Sequence, residues 1–120
     1  MRFLASRQVK CAKIHGMMPC LERSSQVELF TTPSRGGVNV LVAQIMCSST
    51  GINLQCANVV FITSPTWNPC IEKQAIGRVH RQGQTKSVFV YRLVMKDSIE
   101  TRCLEVQGNK RGVIRKHLMK

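Results

Sequence analysis

Aromatic and acidic residues are scarce in this chain of 120 residues, which has one Trp, one Tyr, four Phe and only six Asp or Glu. So few aromatic rings argue against a base-stacking platform of the kind that single-strand nucleic-acid binders use. No apolar run approaches the roughly 20 residues that cross a bilayer, so we expect no membrane partner. No secretory signal is recognised at the N terminus, which predicts residence in the nucleus or the cytoplasm.

Metal-binding and phosphate-binding signatures are also missing. The six cysteines show no Cys-x-x-Cys spacing, and the three histidines do not pair with them at zinc-finger intervals. We therefore expect reduced thiols, several of them in buried apolar runs, and no bound metal. The chain has no Gly-x-x-x-x-Gly-Lys-Ser/Thr loop and no Asp-Glu pair after a strand that would hold magnesium. By itself it is not expected to build an ATP site.

Basic residues are abundant instead. The chain has 18 Lys and Arg against six Asp and Glu, which gives a net charge of +12. From Lys73 onward there are 12 basic and 3 acidic residues, so +9 of this charge lies in the last 48 residues. Such a distribution favours binding to a phosphate backbone, without sequence preference and with sensitivity to salt. An anionic membrane surface is the less favoured alternative.

Apolar runs alternate with a helical pattern along the chain. Residues 10–14 are a short strand candidate, residues 21–30 form a predicted helix, and residues 38–43 and 59–63 are near-continuous apolar, β-branched runs. Runs of this kind are typical of strands covered on both faces. Strands that alternate with helices predict an α/β fold with a parallel sheet.

Residues 68–84 predict a single helix with a functional stripe. Asn68 is suited to the N-cap, Pro69 to the first helical position, and Gly83 to the left-handed residue just past the end. One stripe of this helix, at i, i+4 and i+7, carries Gln74, Arg78 and Arg81, and an apolar stripe carries Ile71, Ala75 and Val79. Two arginines on a docked helix suit a bound polyanion. The alternative is an ordinary solvated basic face.

The same residues carry a family resemblance that spans about residues 13–106. Trp67-Asn68-Pro69, Gln74-Ala75 and Arg78-Val79-His80-Arg81-Gln82-Gly83-Gln84 resemble the last helicase motif of the Swi/Snf-type, DNA-translocating ATPases of helicase superfamily II. Upstream, Gly51-Ile52-Asn53-Leu54-Gln55 resembles the end of the preceding motif. Downstream, the apolar run 88–94 and then Asp97-Ser98-Ile99-Glu100 resemble the strand and helix that follow.

This resemblance implies part of the second RecA-like lobe of such a motor. That lobe is α/β, of the P-loop NTPase type, with a parallel sheet flanked by helices, here followed by a basic C-terminal helix. We expect residues 1–106 to form the partial lobe and residues 107–120 a basic tail, which is either a solvated end or a nucleic-acid contact. The first strand of the lobe is expected to be absent, which predicts a truncated fragment with exposed apolar faces.

The resemblance also implies site residues and partners. In the family, arginines of the second lobe reach ATP bound on the first lobe, together with Mg²⁺, so we expect a first lobe as partner, in cis or in trans, and duplex DNA or nucleosomes as substrate. The implied catalytic residues are Arg78 and Arg81. The implied ATP-binding residues are Gly51, Asn53 and Gln74 with the two arginines, and the implied DNA-binding residues are Ser49, Thr50, Trp67, Asn68 and Lys73.

Each of these assignments has a plainer alternative. Gly51 suits an ordinary turn, Trp67 a lid over the core, and Asn68 a simple helix cap. Residues 47–50 read Cys-Ser-Ser-Thr where the family has a run of small residues with two glycines, which predicts altered coupling of ATP to DNA.

Two functional classes follow. One is an enzyme part: a lobe of a nuclear DNA-dependent ATPase in chromatin remodelling or DNA repair, inactive when isolated. A viral origin would place it in a cytoplasmic factory instead. The other class is a nonenzymatic, basic nucleic-acid-binding remnant of such a motor.

Overall fold

The computed structural model describes residue 4 and residues 7–32, 37–49 and 51–118, with backbone alone for residues 48–49 and 109–118. The described strands are β1 (Cys11–Ile14), β2 (Val40–Ala43), β3 (Val59–Ile62) and β4 (Phe89–Arg92). The helices are α1 (Cys20–Thr31), α2 (Pro69–Ile76) and α3 (Ile99–Leu118), and a short 3-10 helix, Ile45–Ser49, follows β2. The predicted alternation of strands and helices is confirmed, and the strands start and end within two residues of their predicted bounds.

The strands pair in parallel, as predicted, but in two separate pairs. Cys11 lies opposite Val40 where β1 pairs with β2, and Val59 lies opposite Phe89 where β3 pairs with β4. Each pair is a strand–helix–strand unit, because α1 connects the first two strands and α2 the last two. Over the described residues the strands therefore form two two-stranded parallel sheets instead of one continuous sheet.

The expectation that the strands are covered on both faces is wrong for β3, and its partner β4 is likewise covered on one face only. Successive side chains of a strand point to opposite faces, and only one face of this pair meets the core. Ile62 is 6% exposed, whereas Phe61 on the other face is 61% exposed and Tyr91 is 49% exposed. These two residues are cross-strand partners, with stacked rings whose centroids lie 5.3 Å apart. Among the residues whose side chains are described, the buried apolar ones include Ala12, Ile14, Met18, Cys47, Ile62, Val79 and Cys103.

The outer helices begin where the sequence predicts. α1 extends one residue beyond the predicted range at each end. Ser98 caps α3, because its Oγ accepts a hydrogen bond from the Glu100 N–H at 3.2 Å. The α3 backbone then continues through residues 107–118, the greater part of the predicted basic tail. The division of the chain at residue 106 stays a prediction.

The six cysteines are partly in line with the expected reduced, buried thiols. All six thiols are free, but only Cys47 and Cys103 are buried, so the interpretation as buried thiols holds for these two. Among the described residues, no group of three or more His, Cys, Asp or Glu side chains is arranged to hold a metal ion. In the same part of the chain, no helix combines the length and the apolar character needed to cross a bilayer.

Candidate functional site

The N terminus of α2 is organised by a cap, as predicted. Asn68 Oδ1 accepts a hydrogen bond from the Cys70 N–H at 3.0 Å, and Pro69 occupies the first helical turn. Thr66 Oγ1 donates to the Asn68 carbonyl at 2.8 Å and closes the preceding loop. Trp67 lies in this loop with 49% of its surface exposed, so one part of the residue is accessible to a ligand and the other part is covered. A lid over the core and a contact with DNA both stay predictions.

The C terminus of α2 departs from the prediction. The helix ends at Ile76, so Gln74 lies on α2, but Arg78 lies in the turn after it and Arg81 lies farther along. The expectation that these three side chains share one helical stripe is wrong. Gln74 and Arg81 are exposed, and Arg78 is half-buried.

Tertiary hydrogen bonds turn the backbone away from the helical path after His80, whose N–H still donates to the Ile76 carbonyl at 2.8 Å. In a continuing helix, the carbonyls of Arg78 and Val79 would accept from the N–H groups four residues later. Instead, the Arg78 carbonyl accepts from the Leu54 N–H at 3.0 Å, and the Val79 carbonyl accepts from Gln84 Nε2 at 3.2 Å. Glycine, at position 77, is a poor helix former, so little free energy is lost when the helix ends here. Gly83 does adopt the predicted positive φ, of 96°, but in the loop beyond.

Gln84 joins this loop to the loop that follows the 3-10 helix. Its Nε2 also donates to the carbonyls of Gln55 at 3.0 Å and Ala57 at 2.9 Å, and its Oε1 accepts from the Lys86 N–H at 3.0 Å. Gln55 Nε2 in turn donates to the Gln82 carbonyl. We refer to residues 51–57 and 78–84, joined in this way, as the two-loop unit.

The two-loop unit brings together two segments that the sequence assigned to one site. Gly51 has a φ of 64°, a left-handed conformation that favours glycine whatever the ligand. Asn53 is exposed, and its Oδ1 accepts from the Gln55 N–H at 3.2 Å. The implied roles of both residues toward ATP stay predictions. The bridging role of Gln84 was missed, since its place in the motif does not reveal which carbonyls it meets.

The implied DNA-binding residues are only partly described. Lys73 is exposed on α2, near the exposed Trp67 in sequence. The backbone of Ser49 ends the 3-10 helix, whereas its side chain and the whole of Thr50 lie outside the described residues. A contact of all five residues with DNA stays a prediction.

A buried carboxylate that the sequence did not predict lies on α2. Glu72 is 0% exposed, and its Oε2 accepts from Arg92 Nε at 2.9 Å. Its Oε1 accepts from the Thr66 N–H at 3.0 Å and from Gln107 Nε2 at 2.6 Å. Burial alone would raise the pKa of the Glu72 carboxyl, but hydrogen bonds from Arg92, Thr66 and Gln107 outweigh it and hold the pKa below the usual value for glutamate. A charged Arg92 inside an apolar strand was the available signal for such a partner.

Comparison with known proteins identifies the chain. Residues 1–83 match the family model described as the helicase conserved C-terminal domain, so the chain belongs to this family. Within it, the chain belongs with the SNF2/Swi-Snf ATPases. It is 41% identical over 107 residues to "DNA repair protein rad8" of Schizosaccharomyces pombe, a match that covers 89% of this chain and 9% of that protein.

Other relatives agree. The chain is 36% identical to "DNA repair protein RAD5" of Saccharomyces cerevisiae over 104 residues, which are 87% of this chain and 9% of RAD5. The "Crystal structure of the C-terminal part of Fun30 ATPase domain" superimposes with a TM-score of 0.82 at 30% identity, covering 88% of this chain and 33% of that chain. The fold is therefore that of the C-terminal helicase lobe, and the chain spans about a tenth of the length of these curated relatives.

Proposed function

We propose that this chain supplies the second-lobe half of a DNA-dependent ATPase, with Arg78 and Arg81 as arginine fingers toward ATP on a first lobe, in cis or in trans. The observation that carries the proposal is the two-loop unit, in which Gln84 fixes the arginine loop against the loop of Gly51 and Asn53. An exposed Arg81 and a half-buried Arg78 fit the oxygens of a phosphate chain. Bound ATP supplies the phosphoryl group that is transferred to water, and its Mg²⁺ would be held mainly by the first lobe.

The task of the two arginines is electrostatic. A guanidinium presents a planar fork of donors, and fingers of this kind accelerate phosphoryl transfer by about 10³ to 10⁵. Arg78 belongs to the backbone that Leu54 holds, so its position is set before ligand binds. Gln74, exposed on α2, would orient the same cleft. Since this chain alone encodes no phosphate loop, we expect the isolated protein to hydrolyse no ATP.

Turnover in a complemented protein tests the proposal. The chain is joined to a compatible first lobe, and DNA-stimulated ATP hydrolysis is measured for Arg78→Ala, Arg81→Lys and the control Lys86→Ala. The two arginine variants should lose kcat by about 10²-fold or more, with a smaller change in KM, because the contact is made mainly in the transition state. Lys86→Ala removes an exposed charge beyond Gly83 and should stay near the parent. Equal, small effects from all three variants would refute the finger assignment.

Duplex DNA is the proposed second ligand, with nucleosomes as a larger form of it, in chromatin remodelling or DNA repair in the nucleus. The support is the net charge of +12, together with the exposed Lys73 and Trp67 beside the cap of α2. If about four phosphates are contacted, affinity should fall about 100-fold between 50 and 200 mM salt. Lys73→Gln should reduce the slope of this dependence by about one, and Lys13→Gln, which removes the same charge from β1, should reduce it less.

The charge also supports a second candidate, a nonenzymatic nucleic-acid-binding remnant. The salt titration and the complemented ATPase assay separate the two candidates. Salt-dependent binding without any turnover in the complemented protein favours the remnant. Binding that is insensitive to salt, or strongly dependent on base sequence, contradicts both.

A further inference from the structure

Both backbone polar groups of Thr66 are held by buried side chains from two different helices. Its N–H donates to Glu72 Oε1 of α2 at 3.0 Å, and its carbonyl accepts from Gln107 Nε2 of α3 at 2.5 Å. That carbonyl belongs to the planar peptide unit that ends at the Cα of Trp67. Holding the oxygen therefore fixes the plane from which the Trp67 side chain departs.

The two side chains that hold Thr66 are also held by each other. Gln107 Nε2 donates to Glu72 Oε1 at 2.6 Å, and Arg92 Nε of β4 donates to Glu72 Oε2 at 2.9 Å. Glu72 is 0% exposed and Gln107 is 2% exposed, so solvent cannot replace a lost partner. We refer to Glu72, Arg92 and Gln107 as the Thr66 clamp. It joins α2, β4 and α3 to the loop that carries Trp67.

We propose that Glu72 and Gln107 are positioning residues that set the orientation of Trp67. The value of that position for DNA binding rests on the proposed function, in which Trp67 faces DNA. Glu72 and Gln107 themselves are buried and touch no ligand. They act through the backbone of Thr66.

The fluorescence of the full chain tests this proposal, because Trp67 is its only tryptophan. In Glu72→Gln, the new amide group must face either Arg92 Nε or the donors from Thr66 and Gln107, so one donor meets another donor. We expect acrylamide quenching of Trp67 to rise, by at most about twofold, because the side chain is already 49% exposed.

A second substitution provides a rescue that a general loss of stability would not give. Arg92→Met removes the donor that opposes the new amide, so Glu72→Gln combined with Arg92→Met should return quenching toward the parent value. Gln107→Met, which changes no charge, should raise quenching as Glu72→Gln does. Glu105→Gln removes the same charge from an exposed position of α3 and should change nothing. Far-UV circular dichroism verifies that each variant keeps the helical content.

The outcomes separate this inference from the function on which it rests. Folded Glu72→Gln and Gln107→Met variants that quench like Glu105→Gln would overturn it. Unfolding of both, without rescue by Arg92→Met, would also overturn it, since the clamp would then support the whole core. If the variants behave as expected but duplex DNA leaves the parent fluorescence unchanged, the clamp still positions Trp67, and the DNA role of Trp67 fails instead.

Discussion

Replacing Gln84 by glutamate tests whether the two-loop unit stabilises the fold. The two hydrogens of Gln84 Nε2 are shared among the carbonyl oxygens of Gln55 (3.0 Å), Ala57 (2.9 Å) and Val79 (3.2 Å). Gln84→Glu keeps the shape of the side chain and an oxygen for the Lys86 N–H. It replaces the donor by a negatively charged oxygen that faces three carbonyl oxygens. The substitution therefore removes hydrogen bonds and adds repulsion in the same place.

The expected loss follows from these contacts. A net hydrogen bond contributes about 1 kcal/mol, and carbonyls left without a donor in a part-buried site add to the loss, so we expect Gln84→Glu to lower the free energy of unfolding by about 2–3 kcal/mol. In a chain of 120 residues, 1 kcal/mol corresponds to a change of about 4 °C in Tm. The Tm should therefore fall by about 8–12 °C.

Gln82→Glu is the matched control. Gln82 is exposed, and this variant adds the same negative charge to a chain of net charge +12. Its effect should stay within about 0.5 kcal/mol. Thermal unfolding of both variants is followed by far-UV circular dichroism at one ionic strength. Equal Tm values for Gln84→Glu and Gln82→Glu would refute the reasoning, because the amide contacts would then contribute nothing.

Three further predictions concern other parts of the fold. The lowered pKa of Glu72 means that the unfolded chain binds a proton at this carboxyl more readily than the folded chain. The group therefore stabilises the fold above the usual glutamate pKa of 4.5, and its contribution is lost as pH falls through the lower folded value. In urea unfolding from pH 7 to 3, the free energy of unfolding should depend less on pH for Glu72→Gln than for the parent, and equal pH dependence would contradict the pairing. Asn68→Ala should cost about 1 kcal/mol while Asn68→Asp keeps the cap, as chemical unfolding can measure; equal losses would exclude the cap. We expect the exposed face of Phe61 and Tyr91 to promote self-association of the chain. Phe61→Thr should reduce this association in sedimentation experiments with little loss of Tm, and unchanged association would show that this face does not mediate it.

The sequence predicts where α2 begins more reliably than where it ends. The cap at Asn68 depends on neighbouring residues, and local residue types are sufficient to recognise it. The path of the backbone after the helix depends on Leu54 and Gln84, which bind the carbonyls of Arg78 and Val79 from distant segments. No local pattern contains that information. The arginines were recognised as a pair, but the single stripe on which they were placed does not exist.

The strands show a second limit of the same kind. Residues 59–63 are apolar on both faces, so their pattern fixes a strand but not which face is covered. The buried position of Glu72 was equally hidden, because a glutamate in a helix is normally solvated. For Glu72 the deciding partners lie in distant segments, Arg92 on β4 and Gln107 on α3.

Helix α2 is thus fixed at both ends by side chains that bind backbone, which has a consequence for interpreting variants. The Thr66 clamp holds the loop before the helix, and Gln84 holds the loop after it. The side chain of Arg81 is exposed and takes no part in the hydrogen bonds of the Thr66 clamp or of Gln84. Substitution of Arg81 should therefore change turnover without changing Tm, whereas substitution of Gln84 should change both. A turnover defect at Arg81 can be assigned to chemistry only when its Tm matches that of the parent, and a defect at Gln84 can be assigned to chemistry only after the fraction of unfolded protein has been subtracted.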